Sequence, residues 1–168
     1  ACYRNNNISN NIEFFILPRT LIKSIYHFYL SSSAYGDYLT LQNDTETIKK
    51  NNQYKFALEK IFFFLDKNWK FDGLIGFNIF YYAEHNVHEI INKINKKSIV
   101  LHKESVVPEV EYKNNEIVYK KNEKFKGNKI SVYSNSEKEL LEKTEIAKPD
   151  QIAVNGCPRL DLAFEYQK

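Results

Sequence analysis

The sequence predicts an α/β protein, a Rossmann-like parallel sheet with helices on both faces. Three observations predict it. Short apolar runs of strand length stand at residues 72–77, 98–101, 129–133 and 151–154; segments of helical periodicity lie between them; and polar residues begin where each run stops. Strands that alternate with helices are joined by right-handed crossovers, which makes neighbouring strands parallel.

The elements follow in order. Residues 12–38 are less regular, with an apolar helix expected over 21–30. Tyr54, Leu58, Ile61, Phe62, Leu65 and Trp69 then recur at helical spacing, with Lys60, Asp66 and Lys67 on the other side, the pattern of an amphipathic helix packed on a sheet. Phe63 and Phe64 widen its apolar face. Residues 72–77 read as a buried strand, after which Asn78 is placed to cap the next helix. That helix carries Ala83, Val87, Ile90, Ile91 and Ile94 on one stripe and Tyr81, Glu84, His85 and His88 on the other. A second strand over 98–101 ends in His102, Lys103, Glu104 and Ser105. Residues 108–128 are charged and weakly periodic, with a short helix over 116–125. A third strand at 129–133 leads to Ser136 and Glu139, spaced as a capping box for a helix through Leu140 and Leu141. The fourth strand, 151–154, breaks at Asn155-Gly156 and is followed by Pro158, Arg159 and Asp161.

Composition bounds the function. The 168 residues suffice for one domain with a real core. The chain begins with Ala1 and contains no Met, so it reads as a fragment trimmed at both ends. Its net charge of +3 is spread among interspersed acids and bases, not gathered into a stripe, and predicts no nucleic-acid partner. Cys2 and Cys157 lie far apart without metal-ligand spacing, as expected of free thiols in a reducing compartment. No apolar run is long enough to cross a bilayer and no signal peptide precedes Tyr3, so cytoplasmic localisation is expected, with the inner face of the cytoplasmic membrane as the alternative. The Gly-x-Gly-x-x-Gly fingerprint of nicotinamide enzymes is missing.

Parallel sheets bind ligands beyond the carboxyl ends of their strands. Three groups occupy such positions and should share one rim: Asn78 with Tyr82 and Glu84; His102, Lys103 and Glu104; and Asn155-Gly156 with Pro158, Arg159 and Asp161. His85 and His88 resemble half of a metal site, but a metal needs a third ligand and a supporting shell, and an exposed helical face explains them more simply. No metal is expected. The Lys-rich residues 119–129 read as a solvated loop, with peripheral contact to an anionic leaflet as the alternative.

Leu17-Pro-Arg19, the Phe-rich helix before Trp69, Asp72-Gly-Leu-Ile, Tyr81-Tyr82 with Glu84, Ile99-Val-Leu-His-Lys-Glu104, Phe125-Lys-Gly-Asn-Lys-Ile-Ser-Val-Tyr133 and Val154-Asn-Gly-Cys-Pro-Arg-Leu-Asp161 together resemble bacterial surface-carbohydrate biosynthesis proteins of capsule and lipopolysaccharide. These are glycosyltransferase-like, of the two-Rossmann-domain GT-B type, and distantly similar to teichoic-acid glycerophosphotransferases. The resemblance implies that residues 1–161 are the acceptor-side domain and 162–168 the start of a linker to a nucleotide-binding domain outside this sequence. It further implies a nucleotide-activated sugar donor as substrate, with no separate cofactor, and a glycan or lipid-linked acceptor as partner.

Under that resemblance His102 is the candidate base, because imidazole titrates near neutrality; the alternative is a histidine bonded to a loop carbonyl. Glu104 would orient His102 or serve as base itself, or merely cap the next turn. Lys103 and Arg159 would face donor phosphate, and Gly156 would let backbone approach closely. Arg159 and Asp161 equally fit a pair that fixes a loop. Two other functions remain open: a nucleotide-sugar epimerase on the same scaffold, and a non-catalytic α/β binding module.

Overall fold

The computed structural model describes residues 12–30, 35–37, 40–41, 44–79, 81–102 and 109–156, without the side chains of 19, 35–37, 40–41, 82 and 109. Among the described residues are five α-helices, α1 (Arg19–Tyr29), α2 (Thr45–Trp69), α3 (Tyr82–Lys93), α4 (Glu109–Lys120) and α5 (Asn135–Lys143). A small antiparallel pair, β1 (Tyr35–Asp37) and β2 (Thr40–Leu41), precedes α2. The main sheet has four parallel strands, β3 (Gly73–Gly76), β4 (Lys97–Leu101), β5 (Lys129–Val132) and β6 (Ile152–Val154), in that spatial order.

Sequential order explains the layering. Right-handed crossovers that all advance in one direction deposit every connecting helix on the same side of the sheet. Burial agrees: Ser98, Val100, Ile130, Val132 and Ile152 are covered, and Val100, Ile130 and Val132 pack with Tyr119 of α4 and Leu140 and Leu141 of α5. On the opposite face Ile75, Ile99 and Leu101 are exposed. The expectation of helices on both faces is therefore corrected for the described residues. Among the described residues helices cover one face, and strand 73–76 is half-buried instead of buried.

Helix α2 packs against α1 and α3, with Tyr54, Leu58 and Phe62 meeting Tyr26, Leu30, Val87 and Ile91. Asp44 caps it by accepting from Thr47 N at 2.8 Å. Phe63 and Phe64, expected to widen the buried face, point outward, and so does Trp69, where Phe15 packs on the indole. Helix α4 starts seven residues before the position expected for it, at Glu109 instead of residue 116. The cap of α5 is Ser134, whose Oγ accepts from Glu137 N at 3.3 Å, and not Ser136.

Candidate active site at the carboxyl edge of the sheet

Strand β4 alternates exposed and buried residues, and the alternation runs on past Leu101, so the next side chain, His102, turns under the helical layer. Its backbone N–H donates to Ser131 O at 3.0 Å, which fixes the chain where the strand ends. There His102 Nδ1 lies 2.5 Å from Glu137 Oε1. The His102 side chain is 2 % exposed and that of Glu137 0 %. Glu137 occupies the third position of α5, where amide dipoles favour a carboxylate. Both side chains are enclosed, and each supplies a hydrogen-bond partner to the other.

A carboxylate facing one imidazole nitrogen orients the ring and selects which nitrogen is presented to a reacting group. Sequence reasoning missed Glu137. The signal was available as Ser134-x-x-Glu137, a second capping-box spacing that overlaps Ser136-x-x-Glu139.

The remaining expected residues distribute as follows. Asn78 follows β3, is buried, and its Oδ1 accepts from Tyr81 N at 2.9 Å, just before α3. Tyr81, not Asn78, is the N-cap residue of that helix. Glu84 is half-buried in the first turn of α3. Gly156 follows β6 with φ of +72°, and a Cβ built there would meet nothing within 4 Å, so its need for glycine is conformational and not one of close approach. Asn78, His102 and Gly156 thus all lie beyond carboxyl ends of parallel strands. Lys103, Glu104, Arg159 and Asp161 lie outside the described residues, as does the side chain of Tyr82. Beside Gly156, the side chain of Asn155 donates to Ser131 Oγ at 2.9 Å, and Ser131 stands on the open face of β5. The imidazole of His102 and the amide of Asn155 therefore leave the rim on opposite faces.

The exposed face expected for His85 and His88 is corrected. Both are buried. His88 Nδ1 is hydrogen-bonded to Ser98 Oγ, its Nε2 approaches Asn78 O at 3.4 Å, and Phe125 meets its ring edge-on. Burial holds its pKa down at about 4, so at neutral pH it is an uncharged interior group. His85 Nε2 lies 3.1 Å from Glu123 Oε2, and this bond pulls the Glu123 carboxyl well below the usual range, with Lys126 adding to the effect. Among the described residues no group of three or more His, Cys, Asp or Glu could hold a metal ion.

The basic stretch 119–129 is largely neutralised. Lys120 pairs with Glu116, Lys124 with Glu145, and Lys126 with Glu89 and Glu123. Tyr119 and Phe125 are buried. No described helix is long and apolar enough to cross a membrane. Comparison with protein-family models, with curated proteins and with solved structures finds no match to this chain.

Proposed function

We propose that the chain is the acceptor-side domain of a GT-B, glycosyltransferase-like enzyme of the cytoplasm. It would move a sugar, or a polyol phosphate, from a nucleotide-activated donor to a glycan or lipid-linked acceptor of a surface polysaccharide. One observation carries the reading: a buried imidazole–carboxylate pair, His102 with Glu137, at the carboxyl edge of a parallel sheet. That edge is where α/β enzymes gather their chemistry, and a histidine held by a carboxylate is a ready general base. The motif resemblance of the strand ends supplies the substrate class.

In the transfer step the acceptor hydroxyl attacks the anomeric carbon of the donor sugar. The carbon–oxygen bond to the nucleotide phosphate breaks, the phosphate leaves with the bonding electrons, and the hydroxyl proton passes to the imidazole of His102. Glu137 beside Nδ1 stabilises the imidazolium that results. Because the imidazole is enclosed, an acceptor gains access only as the surrounding rim opens, which couples acceptor entry to a conformational step.

The test is product analysis of the full-length protein with radiolabelled nucleotide sugars, with and without cell-envelope glycan acceptor. Label transferred only when acceptor is present supports the reading. Conversion of the nucleotide sugar in the absence of acceptor would make it an epimerase instead, and no turnover of any donor would leave a binding module.

A further inference from the structure

Helix α2 carries on its outward side a stripe that the core does not use. Lys49, Phe56, Lys60, Phe63 and Lys67 are separated by seven, four, three and four residues, a spacing that aligns them along one face, and Phe64 flanks them. The three rings are 60 %, 53 % and 63 % exposed. Isolated apolar side chains at a surface are ordinary, but phenyl rings gathered on one helix face mark a contact surface.

The charges around them are sorted by sign. Glu59 and Asp66, the acids nearest the stripe, turn back onto the body of the protein, where they pair with Lys93 at 2.8 Å and Lys96 at 2.7 Å. Lys49, Lys60 and Lys67 form no ion pair among the described residues, and Lys60 Nζ lies 5.0 Å from the centre of the Phe56 ring. Glu46, one turn before Lys49, is matched by Lys50 at 2.6 Å, so the outward face is aromatic with a surplus of lysines.

We propose that this face of α2 is a docking surface for an anionic lipid bilayer. The phenyl rings would enter the boundary between headgroups and acyl chains, while the lysine stems lie along it and their ammoniums stay with lipid phosphates. Charge complementarity selects this occupant. A second copy packed face to face would set Lys against Lys. The crown of a helix is convex, so it offers no groove to track a nucleic-acid strand. The proposal is independent of the chemistry at His102.

Co-sedimentation of the chain with vesicles tests it. Binding is expected to vesicles of phosphatidylcholine and phosphatidylglycerol in equal parts, weakened by added salt, and much less to phosphatidylcholine alone. The double variants Phe63→Ser/Phe64→Ser and Lys60→Glu/Lys67→Glu should each lower the partition coefficient by roughly ten-fold or more. Both should keep the wild-type circular dichroism, because all four side chains are exposed. Failure to sediment with anionic vesicles overturns the proposal, as does binding that neither double variant weakens. It is also overturned by a stripe-dependent dimer in sedimentation velocity without lipid, or by a single-stranded oligonucleotide that displaces the vesicles.

Discussion

The imidazole of His102 and the carboxylate of Glu137 meet at 2.5 Å in the protein interior although 35 positions separate them in sequence. One belongs to the end of β4 and the other to the first turn of α5. The contact locks a strand to the crossover helix that follows the next strand, so it is a structural joint as well as the core of the candidate site.

Breaking such a joint from one side leaves a buried polar group without its partner. Glu137→Ala and His102→Ala are each expected to lower stability by about 3 kcal/mol, while the double variant loses less than the sum. Urea unfolding of all four proteins gives the coupling energy. A value above about 1 kcal/mol is expected, and one near zero would mean that the two groups do not interact.

Acid should unfold the protein through His88. Its pKa is about 4 when folded and 6.5 when free, held down first by burial. Because the unfolded chain binds the proton more tightly, the contribution is fully present above pH 6.5 and is lost as pH falls toward 4. It amounts to on the order of 3 kcal/mol. Glu123, whose folded pKa is lowered by the bond from His85, acts in the same direction at lower pH. Stability measured from pH 7 to pH 4 should fall less steeply for His88→Gln than for wild type; parallel curves would show that His88 is not the group responsible.

Space beside His88 is already full. A Cβ at Gly76 would stand 2.9 Å from His88 Cε1, and the ring cannot retreat because Ser98 and Asn78 hold its two nitrogens. Gly76→Ala is expected to cost about 2 kcal/mol by overpacking. Gly156→Ala meets no atoms and should cost about 1 kcal/mol, from its left-handed backbone alone. Thermal unfolding of the two variants checks the order; equal losses would contradict it.

Adjacent phenylalanines on α2 should behave oppositely. Phe62 is buried between α1, α3 and the start of β3, and Phe62→Ala is expected to remove about 4 kcal/mol. Phe63→Ala, on the outward face, should change stability by no more than about 0.5 kcal/mol. Denaturant midpoints distinguish them directly.

The sheet was legible because strand signals are local. Each of β3 to β6 falls within a residue or two of the apolar run that announced it. Layering was not, because it depends on strand order, a property of distant pairings that no window of sequence contains. The same limit explains Phe63 and Phe64. Their apolarity was plain, but which side of α2 faces α1 and α3 is decided by packing. His85 and His88 looked like surface groups since polar side chains usually are, and their burial became visible only with Ser98 and Glu123 in place as partners. At the candidate site His102 was found from its position at a strand end. Glu137 was passed over because two serines two residues apart, Ser134 and Ser136, each head an identical capping pattern, and only the fold chooses between them.

The rate of acceptor-dependent sugar transfer by full-length His102→Gln, measured beside wild type and Glu137→Gln, tests the role given to the buried pair most directly. With circular dichroism confirming folded variants, His102→Gln is expected to lose about 10²- to 10⁴-fold in turnover, and Glu137→Gln a smaller part of it. Transfer at the wild-type rate by folded His102→Gln would contradict the assignment of the imidazole as base.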